Sequence, residues 1–228
     1  MAADKHVRGE LVRGLIAGEN DYTSQFTGIF RRDIESRNIP GLSAQIQVLK
    51  PRPERHFGAD ACIILKSDTH FKIGIFEAKW PSLSLGKKYW DSFKKFISSS
   101  RFSSQLQRQN RYWPDFAIWE MFYSEYPYFA QPSCMPDEVS ACVWHDDAYR
   151  FMRANVRSSI TWNNSHLISL LEAVGPLTIG DVMQSMCACT HGRKFVISEY
   201  NALTDELAVA SHALVITYSG NGEALEFD

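Results

Sequence analysis

The 228-residue sequence predicts an α/β fold, a mixed central β-sheet flanked by helices. Three observations carry that expectation. Apolar residues recur at helical spacing over the first forty positions, the period changes to two from Ser43 onward, and helix-like and strand-like runs alternate after residue 87. A chain that orders its elements helix, strands, helix, strand, helix, strand has to cover both faces of its sheet.

Val7, Leu11, Leu15 and Ile16 place an apolar stripe on a first helix, and Phe26, Ile29, Phe30 and Ile34 place one on a second, with a break near Gly18. Ala44, Ile46 and Val48 then alternate with polar residues as a strand, which Pro51 and Pro53 stop. Residues 59–66 and 71–79 are β-rich runs joined by Ser67-Asp68-Thr69-His70, a hairpin signal. Residues 87–125 read as a long basic and aromatic helical region broken near Pro114. Beyond it, residues 139–144 and 148–152 read as strands, with His145-Asp146-Asp147 as the turn between them. Residues 167–174 and 179–189 read as helices, and 195–198 and 212–218 as late strands.

Composition narrows the function. No apolar run reaches the roughly 18 residues that span a bilayer, and the first ten residues lack a signal-peptide core, so a cytoplasmic protein without a membrane partner is expected. Five cysteines, Cys62, Cys134, Cys142, Cys187 and Cys189, are expected as free thiols. Net charge is −2, but no Lys or Arg follows Lys194, so the acidic tail hides a basic remainder. The densest basic stretch holds Lys87, Lys88, Lys94, Lys95, Arg101, Arg108 and Arg111 against one acid, Asp91. Such a stretch is either a solvated face or a bed for phosphates. Its aromatics, Tyr89, Trp90, Phe93, Phe96, Tyr112 and Trp113, read first as core or dimer contacts and second as base-stacking groups. No Gly-rich phosphate loop occurs, so no nucleotide cofactor is indicated.

The hairpin register points to chemistry. If Lys66 pairs with Phe71, Cys62 faces Ile75 and Asp60 faces Glu77, two carboxylates with Cβ atoms about 4.5–5.5 Å apart. Like charges so placed are destabilising unless neutralised, and a divalent cation with oxygen ligands does this. Lys79 points to the same face as Glu77. The arrangement suits phosphodiester hydrolysis, with Mg2+ held by Asp60, Glu77 and the Ala78 backbone carbonyl, and Lys79 orienting or deprotonating a water. The competing bland reading makes Glu77 and Lys79 a surface ion pair.

Gly58-Ala59-Asp60 followed by Ile75-Phe76-Glu77-Ala78-Lys79 resembles the signature of the PD-(D/E)xK nuclease superfamily, the restriction-endonuclease-like fold. Glu19, in Glu19-Asn20-Asp21-Tyr22-Thr23-Ser24, resembles the acid on that family's first helix, with Glu10 and Glu35 as competitors. Gln105 resembles the family's post-catalytic glutamine, although Gln109 stands where many relatives carry tyrosine. The resemblance covers residues 10–112 of one expected domain spanning 1–228. It implies a Mg2+-dependent DNA endonuclease, with Mn2+ as a substitute, working as a homodimer in restriction or a related defence. Glu19 would then assist the metal and Gln105 would position a phosphate or the water. The rivals are an inactive nucleic-acid-binding module of the same fold and a nuclease directed at RNA or at special DNA structures. Cys187-Ala188-Cys189 with His191 lacks the second ligand pair of a structural zinc site, and Trp162-Asn163-Asn164 and His191-Gly192-Arg193-Lys194 are loop-like candidates for reading base edges.

Overall fold

The structure, a computed structural model, describes residues 2–49, 60–81, 90–94, 99–113, 115–125, 133–206 and 212–220. Two helices, α1 (Ala2–Val12) and α2 (Glu19–Ser36), precede β1 (Leu42–Val48), β2 (Ala61–Ser67) and β3 (His70–Lys79). The short strands β4 (Phe93–Lys94) and β5 (Ser99–Ser100) lead into α3 (Arg101–Gln109) and β6 (Ala117–Phe122). Then come β7 (Ala141–Trp144), α4 (His145–Asn155), α5 (Asn164–Val174), α6 (Ile179–Cys187), β8 (Phe195–Val196), α7 (Tyr200–Glu206) and β9 (His212–Tyr218).

Among the described residues the main sheet runs β1-β9-β2-β3-β6-β7, with β8 on the free end of β3. It is mixed: β2 pairs with β9 and β3 with β6 in parallel, whereas β1–β9, β2–β3 and β6–β7 are antiparallel. The expected α/β class with a mixed, helix-flanked sheet is therefore the one observed.

Strand alternation divides the core. Ala61, Ile63, Phe76, Ala78 and Trp119 point to one face, where Val7 and Leu11 of α1, Tyr22 and Phe26 of α2, and Val182 and Met186 of α6 bury them. Cys62, Ile64, Ile73, Ile75 and Ile118 point to the other, against Phe195 and the partly buried Tyr200 and Leu203. Further along that second face, Phe102 and Leu106 of α3, Met152 of α4 and Leu167, Leu170 and Leu171 of α5 close over Phe122 and Val143. Gly74 makes the close approach of α6 possible, because a Cβ there would lie 2.6 Å from the Met186 methyl and 2.9 Å from the Trp119 ring. Lys72 latches the end of α6 to the same strand, its Nζ donating to the carbonyls of Met186 at 2.8 Å and His191 at 2.7 Å.

Several expectations need correction. Among the described residues of the expected helical region at 87–125 are a short β-ribbon, the nine-residue α3 and the strand β6. Residues 148–152 belong to α4, and His145-Asp146-Asp147 is that helix's first turn, with Asp146 and Asp147 near its positive end. Leu15 lies beyond α1 and is exposed, and Ile46 on β1 is exposed as well. Asn163 caps α5 by accepting from His166 N–H at 2.9 Å, and Trp162 is fully buried in the core. His191 stacks on the Trp144 ring, with centroids 3.8 Å apart. Trp90 packs with Phe102, Phe122 and Trp162 as core, while Phe93 and Trp113 are exposed. Tyr89, Phe96, Pro51, Pro53 and the Gly58-Ala59 portion of the motif lie outside the described residues. All five cysteines are free thiols. No helix among the described residues is long and apolar enough to cross a membrane.

Candidate functional site

The β2–β3 register is the one the hairpin arithmetic requires, from Lys66 opposite Phe71 to Ala61 opposite Phe76. One residue further on, the ladder changes. The Asp60 N–H donates to the Phe76 carbonyl at 3.0 Å, and the Asp60 carboxylate turns along β3 to accept from the Ala78 N–H at 2.9 Å. Asp60 thus grips the backbone of the residue between Glu77 and Lys79. Glu77 is buried and takes a hydrogen bond and ion pair from the Lys79 ammonium, itself largely covered.

Electrostatics show how crowded this end of the sheet is. Burial, together with the charges of Asp60 and Glu120, pushes the Glu77 carboxyl up to about 8 even though Lys79 opposes the shift. Asp60 is also raised, chiefly by burial and further by Glu19 and Glu120, against the pull of Lys79 and the Ala78 N–H. Burial pulls Lys79 down, but Glu77, Glu19 and Asp60 outweigh it and hold the ammonium above its ordinary value. Tyr123 is driven upward by burial and by Glu19, Asp60 and Glu77, which places its phenol among the acids.

Glu19 reaches the site from the first turn of α2, accepting from the Trp80 N–H at 2.9 Å just past Lys79. Its competitors are occupied elsewhere: Glu10 pairs with Arg13, and Glu35 with Arg31 at 3.0 Å. Gln105 is buried on α3 and donates to Glu120 Oε2 at 3.3 Å. Of the basic stretch, Arg108 is half-buried on α3 and feels the charge of Glu77, whereas Arg101 and Arg111 are exposed. Lys87, Lys88 and Lys95 lie outside the described residues, as does the side chain of Lys94.

Sequence reasoning missed Glu120 and Tyr123, and set His145 aside as part of a turn. Glu120 sits level with Glu77 in the parallel β3–β6 ladder and is fully buried. The available signal was a single charge inside the apolar run Ala-Ile-Trp-Glu-Met-Phe, which a helical reading hid.

The donor set is made of carboxylate oxygens, which suits a hard cation. Among the described residues no three His, Cys, Asp or Glu side chains converge on a point that could hold a metal ion. Mg2+ is commonly held by one or two carboxylates, with water and substrate phosphate completing its shell, so Asp60 and Glu77 fit that demand. Comparison with family models, curated proteins and solved structures returned no match to this chain.

Proposed function

We propose that the chain is a Mg2+-dependent DNA endonuclease of restriction-endonuclease-like fold, a restriction or related defence enzyme acting in the cytoplasm as a homodimer. The observation that carries this reading is the end of the β2–β3 hairpin, where the Asp60 carboxylate grips the Ala78 N–H between Glu77 and Lys79 and where burial and like charge push Glu77 up to about 8. Carboxylates crowded in this way have a standing affinity for positive charge.

Asp60, Glu77 and the Ala78 carbonyl would hold Mg2+, or Mn2+ in its place, with Glu19 assisting from α2. The ion, once bound, would supply Lewis acidity to the scissile phosphate and acidify a water. Lys79 offers N–H donors beside Glu77, with which it would orient that water and offset the charge on the phosphoryl oxygens. Arg108, half-buried on α3, offers a guanidinium to a neighbouring phosphate. Gln105, through its bond to Glu120, keeps α3 in register with the acids.

Supercoiled plasmid incubated with the purified chain, with and without Mg2+, tests the reading. The wild type is expected to nick and linearise the plasmid only with the ion. Folded Glu77→Ala and Lys79→Ala variants are expected to cut at least about 100-fold more slowly. A wild type that cuts nothing in Mg2+ or Mn2+, or variants that match it, would end the proposal. Salt-sensitive binding without cleavage would favour the inactive module, in which the Lys79–Glu77 pair is the resting and final state.

A further inference from the structure

We propose that Cys187 and Cys189 form a reactive dithiol that closes to an intramolecular disulfide by exchange with a small-molecule disulfide. The pair stands at the end of α6, one residue apart, with both residues exposed. It lies against the start of β3, away from the acids at that strand's other end. The remaining thiols differ: Cys62 and Cys142 are wholly buried and Cys134 is half-buried. Burial pushes Cys62 up to about 12 and raises Cys142 and Cys134 as well, which holds all three as unreactive thiols.

One ammonium shapes the dithiol segment. Lys72 Nζ, reaching from the buried face of β3, donates to the carbonyls of Met186 at 2.8 Å and His191 at 2.7 Å. These carbonyls bracket residues 187–190, so the thiols sit on a segment pinned at both ends. Lys72 also hydrogen-bonds the Cys189 side chain and feels the charge of Cys187. An ammonium against sulfur favours the thiolate, which is the nucleophile of disulfide exchange. The backbone brings the two residues round to each other. Ala188 is helical, and Cys189 is left-handed at a φ of 59°, where a helix end ordinarily carries glycine. The Cys189 N–H donates to Met186 at 3.2 Å and the Thr190 N–H to Ser185 at 3.0 Å, which holds the turn. The Cys189 sulfur returns to 3.7 Å from the Cys187 carbonyl. Two Cα steps of about 3.8 Å bent by a helical residue stay within the about 4.4–6.8 Å that a disulfide spans.

The exchange runs in two steps. The Cys189 thiolate attacks one sulfur of the incoming disulfide; that S–S bond breaks, a mixed disulfide forms, and one small thiolate leaves and takes up the proton Cys189 released. Desolvation at the end of α6 pushes Cys187 up against the pull of Lys72, so Cys187 ionises second. Its sulfur attacks that of Cys189, the Cys187–Cys189 bond forms, and the other small thiolate leaves with the second proton. The dithiol loses two electrons and the small disulfide gains them.

Oxidised glutathione, added in excess to the reduced full chain and followed by intact mass and peptide mapping, provides the test. The wild type is expected to lose two hydrogens on the peptide carrying both residues, with Cys62 and Cys142 unchanged. Cys187→Ser is expected to stop at a glutathione adduct on Cys189, whereas Cys189→Ser should form its adduct on Cys187 at least about 10-fold more slowly. Lys72→Gln is expected to slow the first step about 10-fold. Stable glutathione on both sulfurs without ring closure, or reaction no faster than at Cys134, overturns the proposal. Should Lys72→Gln fail to fold, the two serine variants at exposed positions decide by the same masses and rates.

Discussion

Two buried carboxylates, Asp4 on α1 and Glu120 on β6, are both wholly inaccessible, yet they are treated in opposite ways. Asp4 accepts from the Tyr22 hydroxyl at 2.5 Å, from the Ser140 N–H at 2.7 Å and from the Ser140 hydroxyl at 2.8 Å, with the Arg8 guanidinium nearby. Arg8 in turn donates to the Ser124 carbonyl. Glu120 has one long bond and one oxygen without a hydrogen bond among the described residues. The first acid is a fastener that ties α1 and α2 to the residue preceding β7. The second keeps a lone pair in reserve. Burial alone therefore does not say how a carboxylate is satisfied; the completeness of its hydrogen bonding separates these two.

Removing Asp4 should have the largest effect on stability. Asp4→Ala strands the Tyr22 hydroxyl, the Ser140 N–H and part of the charge balance of Arg8, at an expected cost of about 3–5 kcal/mol in urea unfolding. A cost below about 1 kcal/mol would break the contrast.

The pH dependence of stability is next. Glu77 has a folded-state value of about 8 against 4.5 for the free group, so the folded chain binds the extra proton in that window. Stability from this group is complete below about pH 4.5 and is lost as pH rises through about 8. Asp4 and Asp60, also raised, contribute with the same sign, and His191, lowered by burial, with the opposite one. Unfolding midpoints at pH 5, 6.5 and 8 should fall in that order without divalent ions, by a few kcal/mol at most between the extremes. Glu77→Gln should flatten the decline, and an unchanged slope would refute the assignment.

Glu120→Gln should alter the ion-free protein by no more than about 1 kcal/mol, because little satisfied bonding is lost. A loss as large as that for Asp4→Ala would make Glu120 a fastener too. The reference floor is Arg31→Ala, which breaks an exposed pair with Glu35 and should cost about 0.3–0.5 kcal/mol.

The hairpin was legible because a side-chain period of two and a short turn leave one register that buries Cys62, Ile64, Ile73 and Ile75 together. Asp60, Glu77 and Lys79 followed from it, although not the turn of the Asp60 carboxylate onto the Ala78 N–H, which depends on where the ladder ends. Glu19 was singled out by the family resemblance alone, since its bond to Trp80 spans 61 residues and has no local signature. β6 was lost because it is buried along its whole length and so shows no alternation, which is also what a buried helix shows. With β6 misread, Glu120 could not be paired with Glu77. His145 was hidden for a related reason: Asp146 and Asp147 look like turn residues, and only the adjacent β7 shows that they open a helix.

The placement of β9 has a consequence for biosynthesis. Residues 212–218 insert between β1 and β2, two strands made far earlier in the chain. Until they leave the ribosome, β2 has no neighbour on that flank, and the hairpin bearing Asp60 and Glu77 stays an open-edged ribbon. The hairpin therefore gains its last neighbour only after residues 212–218 have been made, so closure of the sheet trails the synthesis of every acid at its edge.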